Sequence, residues 1–341
     1  MHIIKDFITF IKFKFSQKKF RIGFFQENKN IHSYLIPYIR KKALNEKIFI
    51  MSIEDIDLKN TKNIYVYVFK SKFFIELFFL TLKVKYLYSS TPDLNNSLFI
   101  KSKKSNCKYI YLQHSPVSIS KAYNENAFDN FDAVQVVNKF QYEEIHANNF
   151  KKKLKIKAFK SKYVYFNSNF LNEEKKTKYD VLIAPTWKSN FYKLNCHKTL
   201  VNNLKNKNIT YKLRPHYMSF KKNEVDKKIL LDDKIVLDEN LNIHFGDFKF
   251  LISDWSGIFI EYSILKKTKS FLINTPQKKL NNSNESINST LEEISRNYLA
   301  NLYNIDQIDE LVNNIYDTKF NEKNYKNDKE QIENFYKKYF Y

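Results

Sequence analysis

Short apolar runs alternate along the chain with stretches in which apolar residues return every three or four positions. FRIGFF, KIFIMSI, NIYVYVF, VKYLYSS, KYIYLQH and AVQVV in the first half have the length and the β-branched and aromatic content of buried strands. DVLIAPT, ITYKLRPH, KIVLD, KFLISD and KSFLINT follow in the second half. Between these runs, helical spacing appears at about residues 31–45, 71–83, 139–147, 194–207, 220–231 and 257–267. Regular alternation of the two patterns predicts an α/β fold with parallel sheets flanked by helices. The polar stretch NSNFLNEEKKTKY (167–179) divides two such series and sets the expected junction near residue 175. Two domains are expected, at 20–175 and 176–320, with a basic amphipathic segment at 1–19 before them and a closing helix at 321–341 after them. From about residue 282 the tail reads as helices, with helical spacing in IDQIDELVNNIY.

In the first segment, Ile4, Phe7, Ile8, Ile11 and Phe15 share one helical face, while Lys5, Lys12, Ser16 and Lys19 lie elsewhere. Such a helix either lies on a membrane surface or packs on its own domain. The chain has no run of about 18 apolar residues to span a membrane and no signal-peptide pattern. A cytoplasmic protein, peripheral on the inner face of the cell membrane, is the expectation.

Composition narrows the picture. A hydrophobic content of 43% and an aromatic content of 17% exclude a disordered chain. The formal charge of +22 favours anionic partners, whether phosphorylated ligands, anionic lipid or nucleic acid, although biased codon usage accounts for part of it. No nucleic-acid-binding signature accompanies the charge, so nucleic acid is not an expected partner. Two cysteines, Cys107 and Cys196, are too few for a disulfide framework. No cluster has metal-ligand spacing, and neither a metal nor a cofactor is expected.

Five of the six prolines fall at or just beyond the end of a predicted strand, which places the loops STPD, QHSPVS, APTWKS, RPHY and SDWSG at carboxyl ends. Ligands of open α/β sheets bind outside those ends. In KFLISDWSGIFIEYSILKK a buried strand turns into a helix at Gly257, one of three glycines in 341 residues. A glycine there lets a phosphate approach the free N–H groups of the helix start, with Ser256 adding a hydroxyl and Asp254 holding the loop. The alternative is an ordinary helix cap. Arg214 and His216 flank a proline at another strand end and suit phosphate oxygens. His114 ends a strand in the other half and suits a general base.

Taken in order, YSSTPDL, KYIYLQHSP, VLIAPTWKS, YKLRPH and ISDWSGIFIEYSILKKTKSFLINTP resemble the CDP-glycerol glycerophosphotransferase family, which includes teichoic acid and capsule polymer enzymes. The resemblance spans roughly residues 84–276 and implies a GT-B-like architecture of two Rossmann-like domains facing across a cleft. It implies transfer of glycerol phosphate, or a related polyol phosphate, from a CDP-activated donor to a lipid-linked or polymeric glycan acceptor in a bacterial cell envelope, with CMP released. By position, His114 and His216 match the catalytic histidines. Arg214, Ser253, Asp254, Ser256, Gly257, Glu261, Thr186, Trp187 and Lys188 match segments expected to bind the donor. The chain departs from the pattern of many members, which have His-Gly at 114–115, His-Pro at 216–217 and a second serine at 257. A glycosyltransferase using CMP-sialic acid or another nucleotide sugar is the alternative on the same architecture.

Overall fold

The computed structural model describes residues 2–27, 32–56, 58, 60–95, 98–102, 105–167, 177–239, 243–277, 289–320 and 325–341. The expected junction near residue 175 lies outside them. Seven parallel strands, β1 (Ile22–Gln26), β2 (Ile48–Ser52), β3 (Ile64–Val68), β4 (Tyr86–Ser89), β5 (Lys108–Tyr111), β6 (Ala133–Val136) and β7 (Lys157–Lys160), form the first sheet in the order β3-β2-β1-β4-β5-β6-β7. Five more, β8 (Tyr179–Ile183), β9 (Tyr211–Leu213), β10 (Phe248–Ser253), β11 (Ser270–Ile273) and β12 (Ala300–Tyr303), form a second parallel sheet in the order β12-β11-β10-β8-β9. Every residue of β1 and β2 is buried. A parallel sheet covered on both faces requires such unbroken apolar runs.

Thirteen helices among the described residues connect and cover the strands: α1 (His2–Ser16), α2 (His32–Ala43), α3 (Lys72–Leu80), α4 (Ile119–Ala122), α5 (Lys139–Lys152), α6 (Val164–Asn167), α7 (Cys196–Asn206), α8 (Tyr217–Lys221), α9 (Lys227–Asp232), α10 (Ile258–Lys266), α11 (Leu291–Leu299), α12 (Ile308–Phe320) and α13 (Tyr325–Tyr339). Their ends follow local chemistry. Asn138 caps α5 by accepting from the Gln141 N–H, and Thr290 and Glu293 form a reciprocal capping box on α11. No helix among the described residues is long and apolar enough to cross a membrane.

The fold is thus GT-B-like, two Rossmann-like domains with parallel sheets, as expected. Four details differ from the sequence reading. Strands β7 and β12 were not expected, and β12 interrupts a tail read as helical. KIVLD adds only the single bridge Leu213↔Leu237 beside β9. The expected 220–231 helix is two short ones, α8 and α9, separated by Asn223 in the left-handed region at φ 53°. The last helix also does more than close the second domain. Tyr339 packs on Phe140, Phe340 bridges to Asn138, and the Tyr341 N–H donates to the Val137 carbonyl, all on the first.

Each sheet reverses its strand order once, between β1 and β4 in the first and between β8 and β10 in the second. Such switch points open a crevice beyond the carboxyl ends of the strands. The loops at the second one are APTWKS and SDWSG.

Candidate functional site

At the second switch point, the two loops are tied to each other before any ligand is considered. The Ser253 hydroxyl donates to the Ala184 carbonyl at 2.7 Å, and the Asp254 Oδ1 accepts the Thr186 N–H at 2.8 Å and the Ser256 N–H at 3.2 Å. Arg296 reaches in from α11. Its Nη1 donates to the Asp254 carbonyl at 2.9 Å, and its guanidinium lies 4.0 Å from the centroid of the Trp255 ring. The Trp255 Nε1 in turn donates to the Thr275 carbonyl at 2.7 Å. Burial pushes the Asp254 carboxyl up to about 6, against the opposing pull of its N–H bonds and of Arg296. Ser253, Asp254 and Thr186 are buried. They brace the loop from behind, Ser253 through its hydroxyl and Asp254 through the backbone N–H groups it accepts.

Gly257 opens α10, and its missing side chain makes room for a loop of the first domain. A Cβ there would lie 2.3 Å from Val117 Cγ1 and 2.9 Å from the Ser115 hydroxyl, closer than such atoms pack. The glycine lets the His114-Ser115-Pro116-Val117 loop of the first domain seat directly on the α10 start. Ser256 and Gly257 stay partly exposed at the edge of this contact.

Trp187, Lys188 and His216 share one wall. The Trp187 and His216 rings lie parallel within 29°, with centroids 6.4 Å apart, and the Lys188 Nζ is 5.2 Å from the Trp187 centroid. Lys188 sits at φ 63°, with its N–H on the Glu224 carboxylate at 2.8 Å. The Nδ1 of His216 accepts the Met218 N–H at 3.1 Å and so caps α8. With Nδ1 used as an acceptor, the neutral ring carries its proton on Nε2, and His216 can present an N–H donor. Facing α8 from the first switch point is Glu27, which feels the Lys221 charge and bonds Thr91. Its carboxyl is raised chiefly by burial.

His114 follows β5. Its imidazole is gripped by the Ser90 backbone and by the Tyr111 hydroxyl, 3.0 Å from Nδ1. The Tyr111 hydroxyl continues to Tyr123 at 3.1 Å, and Tyr123 to the Gln113 Oε1 at 3.4 Å. Burial lowers the His114 pKa to about 4, so the ring is neutral at physiological pH.

The two halves of the site meet through buried groups. The Tyr163 hydroxyl lies 3.0 Å from the His114 carbonyl oxygen and 2.7 Å from the Glu261 Oε1 of α10. Glu261, one of the candidates for donor binding, is buried under this contact. Its carboxyl is raised to about 7 by burial, opposed by Tyr163 and by the nearby charge of Arg214. Further along the loop, Ser118 and α11 bond reciprocally: the Ser118 N–H donates to Glu292 at 3.1 Å, and its hydroxyl accepts the Leu291 N–H at 2.9 Å. Glu144 of α5 accepts the next two N–H groups, from Ile119 at 2.7 Å and Ser120 at 3.2 Å.

Sequence reasoning missed Tyr163, Arg296, Glu144 and Glu292. Tyr163 is one of 24 tyrosines and carried no signal. Arg296 carried one. Only four of the 58 Lys and Arg residues are arginine, and in so lysine-rich a chain an arginine marks a place where a planar fork is needed. Among the described residues no three His, Cys, Asp or Glu side chains come together as metal ligands.

By sequence, no family profile and no curated protein matches the chain. By structure, a histidine-to-asparagine variant of the wall teichoic acid polymerase TagF, soaked with CDPG, aligns over 99% of this chain and 93% of that one. The TM-score is 0.61 at 13% identity. A histidine-to-alanine variant of TagF aligns over 98% and 92%, with a TM-score of 0.59 at 13% identity. A protein described as a UDP-N-acetylglucosamine 2-epimerase from Listeria monocytogenes aligns over 92% and 90%, with a TM-score of 0.50 at 9% identity. The chain therefore has the GT-B-like fold that the wall teichoic acid polymerase TagF also has.

Proposed function

We propose that this protein transfers glycerol phosphate, or a related polyol phosphate, from a CDP-activated donor to a hydroxyl of a lipid-linked or polymeric glycan acceptor. The observation that carries this reading is the seating of the His114 loop on the α10 start at the switch point of the second sheet. It sets a neutral imidazole beside the loops where a diphosphate would bind.

The acceptor oxygen attacks the β-phosphorus, the new O–P bond forms as the diphosphate bridge breaks, and CMP leaves with the bridging electron pair. His114 takes the acceptor proton. Its pKa of about 4 is low for a general base. A bound diphosphate raises it, because neighbouring negative charge favours the imidazolium. In this reading the His216 Nε2–H, Arg214, Lys188, the Ser256 hydroxyl and the Gly257 N–H take up charge on the phosphates. Trp187, beside His216, offers a flat face for the base or the donor. The acceptor's lipid link accounts for expected work at a membrane face.

The test is CMP release by purified protein given CDP-glycerol, CDP-ribitol or CMP-sialic acid, and UDP release from UDP-N-acetylglucosamine, each with a polyol- or glycan-lipid acceptor. CMP release from CDP-glycerol or CDP-ribitol, reduced about 10²–10⁴-fold in His114→Ala, is the expected result. Turnover of CMP-sialic acid alone would make the protein a glycosyltransferase instead, and an undiminished rate in His114→Ala would remove the base assignment.

A further inference from the structure

Helix α1 faces the opposite way from a helix built only to cover its own domain. Inward it turns Asp6, Phe10 and Phe13. The Asp6 Oδ2 accepts the Lys70 N–H at 3.0 Å and the Ser71 N–H at 2.6 Å. The Phe13 ring is fully buried, with centroids 5.1 Å from Phe49, 5.2 Å from Tyr67 and 4.5 Å from Phe78. The Ser16 hydroxyl lies 2.6 Å from the Tyr67 hydroxyl, and the Lys14 Nζ donates to the Thr81 carbonyl at 3.1 Å. These contacts fix the rotation of the helix, and the apolar stripe points outward. Ile4 is 68% exposed, Phe7 53%, Ile8 48%, Ile11 37% and Phe15 83%. On the adjoining α3, Phe73 and Leu80 are 64% and 51% exposed. Phe7 and Phe73 both touch the Phe74 ring, at 6.3 and 5.1 Å, so the two helices present one continuous patch. An exposed apolar patch of this kind marks an interaction site.

Its surroundings identify the partner. Residues 2–20 and 70–85 hold nine lysines against two acids, Asp6 and Glu76, and Asp6 is occupied by backbone N–H groups. Lys5, Lys12, Lys18, Lys19, Lys72 and Lys83 are exposed. A second copy of the chain meeting this face would set lysines against lysines, which opposes association. A surface that is apolar at its centre and anionic at its headgroups suits both features. We propose that the α1–α3 surface docks the protein on a membrane leaflet bearing anionic phospholipid, with the apolar stripe in the headgroup boundary and the lysines on the phosphates. Asp6 bonds the backbone just past the carboxyl end of β3, the same end of the sheet from which the His114 loop emerges. Helices α1 and α3 run from that end back along the strands, so the docked leaflet lies along the flank of the first sheet, with Ile4 and Phe73 nearest the end from which the His114 loop emerges. The surface itself requires no assumption about the donor; its use in delivering a lipid-linked acceptor rests on the transferase reading.

Flotation of the full-length protein with vesicles tests this. Vesicles of phosphatidylcholine mixed with phosphatidylglycerol carry the wild type upward, and high salt weakens the association. Combined Ile8→Gln, Phe15→Gln and Phe73→Gln lowers the bound fraction at least about tenfold. Combined Lys5→Gln, Lys12→Gln and Lys18→Gln lowers affinity for the anionic vesicles by roughly fivefold per lysine. An unchanged melting temperature confirms that the variants fold, and Phe15→Gln alone replaces the triple variant if it does not. No flotation of the wild type, or equal flotation of the apolar variant, overturns the proposal. So does a wild-type dimer, seen by light scattering, that the apolar variant dissolves while neither binds vesicles. Vesicle binding without nucleotide turnover would count against the transferase reading and leave the docking surface standing.

Discussion

Two departures from the pattern that this chain resembles turn out to touch each other. Many members have glycine where Ser115 stands and serine where Gly257 stands, and here the Ser115 hydroxyl lies 2.9 Å from the position of a Gly257 Cβ. The small residue has changed sides within one contact. Gly257→Ser should therefore cost about 1–3 kcal/mol through overpacking. Ser115→Gly should restore part of that loss and Val117→Ala the rest, read as a double-mutant coupling in denaturant unfolding. Purely additive losses would show that the contact is not what the glycine serves. A second residue-scale prediction concerns Tyr163, which has one proton and two acceptors, the His114 carbonyl and Glu261. Below about pH 7 the raised Glu261 carboxyl is protonated and can donate to Tyr163, which then bonds the His114 carbonyl. Above it, the carboxylate takes the Tyr163 proton and that bond is lost. The transfer rate should fall between about pH 6 and pH 8, and Glu261→Gln, which donates at every pH, should flatten the profile. An unchanged profile would mean that Tyr163 does not steady His114. The candidates for chemistry, His114, His216 and Arg214, were legible from loop position. Which of their neighbours are buried was not, because Ser253 and Glu261 follow the same local pattern whether they face a ligand or a carbonyl.

At the scale of elements, the central strands were legible and both missed strands lie at sheet edges. β7 (KAFK) and β12 (ANLY) each have a neighbour on one side only, and both carry exposed residues. Edge strands tolerate such residues, which blunt their open N–H and C=O rows and erase the apolar run that marks a strand. KIVLD had the pattern but stops at one bridge beside β9, itself only three residues long. The SDWSG turn was legible as strand, turn and helix. Its brace was not, because Arg296 comes from a helix more than 30 residues onward. That brace makes a prediction. Arg296→Lys keeps a charge but loses the flat stack on Trp255 and the forked reach to the Asp254 carbonyl and Asn274. It should lower the melting temperature by several degrees and weaken donor binding, read by thermal shift with CDP-glycerol. Equal donor-induced shifts in wild type and variant would show that the brace does not shape the donor site.

The two domains are joined over the whole molecule by the C-terminal helix and by Glu292 of the second domain at the Ser118 N–H, beside which Glu144 of the first holds the next two N–H groups, of Ile119 and Ser120. Burial is the largest influence on each and raises both, Glu144 to about 7, and the Glu292 charge raises Glu144 further. In the unfolded chain a glutamate loses its proton near pH 4.3. Between that pH and about 7 the folded protein therefore binds more protons at Glu144 than the unfolded chain does. The stability derivative with pH is negative in this range, so the pair is fully compatible with folding below it and costs stability as pH rises through it. For Glu144 the loss amounts to on the order of 3 kcal/mol, with Glu292 acting in the same sense. Glu144→Gln removes the titration but also gives up an acceptor for Ser120, so the variant should be less stable at about pH 5. The gap should narrow as the pH approaches about 8, because only the wild type then bears a buried charge. Thermal unfolding of both proteins across that range measures the difference directly, and the general repulsion of a +22 chain cancels between them. Melting curves that stay parallel would show that the carboxylates are solvated or paired at neutral pH. In that case the seat of the His114 loop on the second domain would not be set by their protonation.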